Sequence, residues 1–330
     1  MSSSSTPDSL REDANRLALD EVEEAEELSR QRRPGSEEAL GEGGDGGRGS
    51  GWVTAALAAP GLIWIGFYLL APLVIIVLVS FWTWTDAGFD KTFTTANYSE
   101  LFHDSTYWDN MLSTVITSAI AVVACLVLGF PVAYFLALKV QSLRVQIALF
   151  IIALAPFWTS FLTRAIAWTF PLMGREGALN QLLVKLHVIS EPISEFGFST
   201  LSVRLAMIQL YILFMITPLF FTLAQVDRSA LEAARDLGAN WWGAFREVIL
   251  PQTMPGIVIG SIFIFVLTMG EYGTVEVISQ GAVTTVGVYV HSQIVGTQYP
   301  QGAASAVLLV FVLILGVFAI TRFANLRDEI

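Results

Sequence analysis

The sequence predicts an all-α membrane protein with six transmembrane helices. Three observations carry that reading: a composition too apolar for a soluble domain, six long apolar runs, and basic residues gathered between alternate runs. Of 330 residues, 54% are hydrophobic and 14% charged, with a mean hydropathy of +0.61, far from the average soluble domain. The formal net charge of -11 sits mostly at one end, since residues 1 to 50 hold 13 acidic and 6 basic residues.

Residues 1–51 contain no apolar stretch of the signal-peptide kind. They are expected to form a disordered acidic cytoplasmic tail closed by a tether, with glycine at 41, 43, 44, 46, 47, 49 and 51. Such a composition cannot bury enough surface to fold. Residues 52–330 form the membrane domain. A helix satisfies its own backbone in hydrocarbon and needs about 20 apolar residues to cross it. Six runs meet that condition, centred on Trp52 to Ser80, Asn110 to Leu138, Val145 to Phe170, Leu205 to Val226, Thr253 to Tyr272 and Ala303 to Thr321. The third contains Arg164, and the stretch from Val277 to Thr321 has no Asp, Glu, Lys or Arg.

Cytoplasmic loops are enriched in Lys and Arg. Thirteen of the 18 basic residues lie in the tail, at Lys139 and Arg144, at Arg228, Arg235 and Arg246, and at Arg322 and Arg327. Both termini are therefore expected in the cytoplasm of a multi-pass protein of a prokaryotic plasma membrane. The loop from Trp82 to Asp109 has one Lys against five acids. Its Trp82, Trp84, Tyr98, Tyr107 and Trp108 read as anchors at the outer interface. Cys125, the one cysteine, lies in an apolar run and reads as core packing. His103, His187 and His291 are far apart and form no metal-ligand motif, which argues against a membrane metalloenzyme.

The loop after the fourth run, residues 227–252, is punctuated as two short helices. Ser229 and Glu232 have the spacing of a capping box, and Gly238 is placed as a left-handed C-terminal cap. Asn240 is positioned to cap a second helix with Trp241, Phe245, Val248 and Ile249 on one apolar face, and Pro251 marks the return to the membrane.

Glu232-Ala233-Ala234, three residues, Gly238, nine residues, then Val248-x-Leu250-Pro251 closely resembles the EAA loop of binding-protein-dependent ATP-binding cassette importer permeases. Seven such positions match by chance in about one in 100,000 chains of this length. The resemblance runs from Trp52 to the C-terminus and is nearest to the spermidine/putrescine type. It is carried by Pro156-Phe-Trp-Thr-Ser-Phe-Leu-Thr-Arg-Ala-Ile-Ala-Trp168, by the loop from Leu231, and by Gly270-Glu-Tyr272. Relatives that move iron, thiamine or phosphonates share parts of these stretches. Where polyamine permeases place a proline and a Leu-Gly-Gly turn, this chain reads Gly273-Thr-Val-Glu-Val-Ile-Ser-Gln-Gly281.

The resemblance implies an importer-permease (MetI-like) bundle in which Glu232, Ala233, Ala234, Gly238, Leu250 and Pro251 belong to the loop that couples to the ATPase. It implies four partners: an ABC ATPase dimer, a second permease subunit that is a related chain, an extracytoplasmic solute-binding protein and the lipid bilayer, with no nucleic acid. The chain has no Gly-Lys-Ser or Gly-Lys-Thr phosphate loop. No cofactor is expected on it, and ATP and Mg belong to the partner, so the chain is a non-catalytic subunit. Ionisable residues inside a span suggest a pathway or a partner. Glu271, with Tyr272 and Trp168 near it if the bundle packs as the family implies, is placed to attract an amine by charge and cation-π contact. Alternatively, Glu271 reaches the headgroups or pairs with Arg164, and Glu276 reads as solvated. A different class, the ion-coupled secondary transporter, would show several midplane charges or an internal repeat, and neither is visible.

Overall fold

The computed structural model describes residues 50–85, 88–172 and 174–328. Apart from its last two residues, the acidic tail expected over 1–51 lies outside the described residues. The chain divides into two compact units, residues 1–71 and 72–330. In the first, the helix α1 (Ser50–Val79) begins, and Leu62, Ile63, Trp64 and Phe67 are exposed on it. A helix apolar on all faces, with those faces uncovered, is suited to lipid or to another apolar helix rather than to water.

The second unit opens with a short antiparallel pair, β1 (Thr83–Thr85) and β2 (Gly88–Asp90), then α2 (Ala96–His103). Next comes α3 (Ser105–Tyr134), which widens into a π segment, Phe135–Lys139, just after Pro131. The third apolar run is not one helix. It forms α4 (Leu143–Leu154), a 3₁₀ turn at Ala155–Trp158 and α5 (Phe161–Leu172), bent by 85° at the break. Pro156 lacks the N–H that would continue α4, and Thr159 takes an extended conformation. The third apolar run, Val145 to Phe170, is thus a bent pair of helices.

After α6 (Ala178–Lys185) come α7 (Thr200–Ala224), α8 (Arg228–Asp236) and α9 (Trp241–Ala244). A π segment, Phe245–Ile249, joins α9 to α10 (Leu250–Met269). The uncharged stretch beyond Val277 resolves into the end of α11 (Gly273–Ser279), then α12 (Val286–Val295) and α13 (Tyr299–Asp328). Among the described residues five helices are long and apolar enough to cross a membrane, and the count is six if the bent α4–α5 pair is taken as one broken span.

The core of this unit lies where α3, α7 and α10 meet. Leu210, Met215, Leu219, Leu223 and Ile264 are buried there. Cys125 is buried with them, its thiol 3.6 Å from the carbonyl of Ile208. Tyr107 is not an interface anchor: it is fully buried and its hydroxyl donates to the Ser305 carbonyl at 3.2 Å, tying α3 to α13. Tyr98 likewise shares a hydrogen bond with Ser80 at 2.7 Å.

Glycine sets the distance between α7 and α10. A Cβ at Gly256 would lie 2.3 Å from Thr222 Oγ1 and 2.8 Å from the Pro218 carbonyl oxygen, and one at Gly260 would lie 2.6 Å from Met215 Sδ. Small residues permit this close approach of backbones. Alanine is better than glycine in a helix interior by about 1 kcal/mol, but overpacking costs about 1 to 3 kcal/mol. At Gly256 the obstacle includes backbone, so the clash wins. Gly256→Ala is expected to lower the thermal unfolding temperature of the purified protein, whereas Gly61→Ala, inside α1 with open space around it, is expected not to lower it.

Candidate functional site

Two features gather the residues singled out by the sequence. The first is the loop between α7 and α10. Its base is closed by the Asp227 backbone N–H, which donates to Gln252 Oε1 at 3.1 Å. The helix α8 begins at Arg228, so its N-cap is Asp227 rather than Ser229. Asp227 Oδ1 accepts from the Ser229 backbone N–H at 2.8 Å, and the Ser229 hydroxyl donates to both carboxylate oxygens at 2.8 and 2.9 Å. The expected Ser229–Glu232 capping box is therefore replaced by a cap two residues earlier, because Ser229 already lies in the first turn and its own N–H needs the acceptor.

At the other end of α8, Gly238 has φ +84°. Its N–H donates to Arg235 O at 2.9 Å and the N–H of Ala239 donates to Ala234 O at 2.9 Å, the two bonds of a Schellman motif. Asn240 caps α9 through Oδ1, which accepts from the Gly243 N–H at 2.8 Å. Leu231 and Phe245 pack on the core, and Phe245 meets Phe130 of α3 edge-on at 5.4 Å. Glu232, Ala233 and Gly238 are exposed and Ala234 is half-buried. The same surface carries Leu237 at 89%, Trp241 at 60% and Trp242 at 59% exposure. These are large apolar groups that the described residues leave mostly exposed, the two tryptophans stacked on Phe245 by one face.

Leu250 is half-buried and Pro251 exposed. Pro251 does not interrupt the chain's return: the helix runs from Trp241 to Met269. The π segment makes this possible. Leu250 N–H reaches back to Phe245 O, and the widened turn relieves the clash of a proline ring with the carbonyl four residues earlier.

The second feature surrounds Glu271, at a break between α10 and α11. Glu271 Oε2 accepts from the Tyr211 hydroxyl at 2.5 Å and Oε1 accepts from the Thr274 N–H at 2.7 Å. Its backbone carbonyl accepts from Thr285 Oγ1 at 3.2 Å. Tyr211 lies midway along α7, so the carboxylate meets that helix at its middle rather than at its mouth.

Arg164 does not pair with Glu271: among the described residues no Arg or Lys lies within 4.0 Å of a carboxylate oxygen. Its guanidinium lies 5.5 Å from the Phe157 ring and 5.7 Å from the Phe161 ring, and its Nε is buried without a hydrogen bond. Phe161 in turn stacks on Tyr211 at 5.6 Å. Trp168 is half-buried against the core, with no hydrogen bond or ring contact to Glu271 among the described residues. Tyr272 stacks on His291 at 4.6 Å, and His291 Nδ1 is 3.8 Å from Glu276 Oε2. The geometry thus joins Glu271 to Tyr211, Thr274 and Thr285, none of which the sequence reading named. It also reveals Arg204 inside α7, donating to Thr117 Oγ1 at 3.3 Å, a charge expected to lie just before that span.

No family model matches the chain. It is 33% identical over 268 residues to the spermidine/putrescine transport system permease protein PotB of Escherichia coli strain K12, covering 81% of this chain and 96% of the relative. Its fold is that of a bacterial ABC transporter involved in import of the acidic polysaccharide alginate, with a TM-score of 0.63 at 15% identity over 83% of this chain and 95% of that one. A second structure, the alginate transporter in complex with a periplasmic protein bound to an alginate pentasaccharide, matches with a TM-score of 0.61 at 17% identity over 83% and 93% of the two chains.

The Ser229 bonds hold the Asp227 carboxyl below the usual carboxylate range. A depressed pKa stabilises above the unfolded-state value and loses that effect as pH falls through the folded one. Backbone hydrogen exchange over 228–236 is therefore expected to stay slow at neutral pH and to quicken, after correction for intrinsic rates, only below the ordinary Asp range. Asp227→Ala is expected to quicken it at neutral pH.

Proposed function

The chain belongs to the spermidine/putrescine-type permeases of ATP-binding cassette importers, and we propose that it carries a small amine-bearing solute inward, powered by ATP hydrolysed on a separate ATPase dimer. The observation that carries the coupling half of this reading is the loop between α7 and α10. It is fixed at Asp227, Gly238 and Asn240, rooted on the core by Leu231 and Phe245, and presents Glu232, Ala233, Leu237, Trp241 and Trp242 outward. A rigid elbow with an uncovered apolar surface suits a docking partner that pushes on it.

The distribution of basic residues supports placing this loop and both termini in the cytoplasm. ATP and Mg are then handled entirely by the partner. A second, related permease chain completes the pathway, and an extracytoplasmic binding protein delivers the solute, as the periplasmic protein of the alginate transporter complex suggests by analogy. The polyamine assignment draws support from the name of the relatives and from Glu271, a carboxylate at a helix break with no Arg or Lys within 4.0 Å among the described residues. Membership in this family weighs against the ion-coupled secondary transporter. Iron, thiamine and phosphonates are solutes that the same machinery elsewhere carries; a carboxylate suits cationic iron and thiamine as well as an amine, so it argues only against a bare phosphonate, and the name of the relatives is what favours the polyamine.

Gly238 supplies the test. A β-branched residue at φ +84° is strained by about 1 to 2 kcal/mol or more, while the open space around the position excludes a clash as the cause. Gly238→Val is expected to insert normally, co-purify poorly with the ATPase and lose most uptake. Gly238→Asn, which tolerates the left-handed conformation, is expected to keep most of both. Wild-type uptake by the valine variant would overturn the coupling role. Orientation is checked independently in a Cys125→Ser background, where a cysteine at Ser229 is expected to resist an impermeant thiol reagent applied outside intact cells.

A further inference from the structure

We infer that Tyr211 is the positioning residue that aims the Glu271 carboxylate at the cargo; the inference rests on the reading of Glu271 as the amine-facing group. Tyr211 is 2% exposed, so it acts through Glu271 and not on the solute. Its ring is held between Phe161, stacked at 5.6 Å, and Phe214 at 6.3 Å, and these contacts fix where the hydroxyl points. That hydroxyl donates to Oε2.

The backbone of Glu271 has little freedom of its own. Thr285 Oγ1 donates to its carbonyl, and the start of α12 packs so closely that a Cβ on Gly287 would lie 2.8 Å from the same oxygen. What remains free is the side-chain rotamer, and Tyr211 together with the Thr274 N–H removes that freedom. A carboxylate offers about four lone-pair sites. Two are filled here by the protein, which leaves two for an ammonium donor.

Thr274, 0% exposed, has a side-chain hydroxyl that is buried without a partner, on the residue whose N–H caps Oε1. Arg164 lies over Phe157 and Phe161 and forms no salt bridge with Glu271. The carboxylate is thus oriented and partly bonded, with no Arg or Lys within 4.0 Å among the described residues. In a membrane span such a charge is costly unless a cation passes it.

The test uses the whole importer in proteoliposomes, with its soluble binding protein and radiolabelled spermidine, and reads solute moved per ATP hydrolysed. Tyr211→Phe keeps the ring and removes the one donor. Loss of a hydrogen bond to a charged group is expected to lower the ratio about tenfold, and Glu271→Gln to lower it at least as far. Because Tyr211 acts through Glu271, the double variant is expected to match Glu271→Gln alone. An impaired Glu271→Gln beside a normal Tyr211→Phe would overturn the positioning role and leave the reading of Glu271 standing. A normal Glu271→Gln would overturn the reading itself. Additive losses, or a Tyr211→Phe protein that fails to assemble or loses uptake and hydrolysis in proportion, would make Tyr211 a structural residue and overturn the inference.

Discussion

Every backbone N–H and C=O in hydrocarbon must find a partner inside the protein, since each one left unpaired costs several kcal/mol. Helices meet that demand by themselves, so the informative places are those where the helix stops. At the bend between α4 and α5 the Thr159 N–H and hydroxyl both turn back to the Pro156 carbonyl, at 3.2 and 2.7 Å. After the π segment of α3, the Gln146 side chain donates to the carbonyls of Leu136 and Ala137 at 2.9 and 3.3 Å. Between α10 and α11 the Glu271 carboxylate takes the Thr274 N–H and the Thr285 hydroxyl donates to the Glu271 carbonyl. Farther along, the free N–H of Val286 at the start of α12 takes Thr114 Oγ1 of α3 at 3.0 Å. Side chains from distant segments thus replace the missing rungs, and each replacement pins one element to another.

That principle explains what the sequence made legible and what it did not. Spans were readable because apolar length is a local property, and Gly238 was readable because a left-handed turn selects glycine locally. The bond between Tyr211 and Glu271 joins residues 60 positions apart, and no periodicity along one strand of sequence encodes it. Tyr211 follows Gln209 in an otherwise apolar run, so two polar groups inside a span were the available signal. The capping box failed for a narrower reason: Asp227, Ser229 and Glu232 offer two overlapping cap patterns, and the choice depends on where α7 releases the chain. Pro251 does stand at the return to the membrane, in the first turn of α10, but the π segment before it, where Phe245 meets Phe130 of α3, leaves no local mark in the sequence. The third run hid its break because Pro156 and Thr159 sit among residues apolar enough to pass for one continuous helix.

The pair α7 and α10 links the two candidate features. At one end Asp227 follows α7 and bonds Gln252 near the start of α10. Farther along, Tyr211 of α7 bonds Glu271 just beyond the end of α10. Between these two bonds Gly256 and Gly260 bring the backbones together against Thr222, Pro218 and Met215. Interiors packed this closely are not continuously deformable, and they transmit displacement instead of absorbing it. Sliding one helix past the other would drive Thr222 and Met215 into the backbone that the glycines expose, and would break a bond at each end. In the proposed coupling, force on the loop therefore moves α7 and α10 together, and the carboxylate at the break travels with the elbow that a partner would hold.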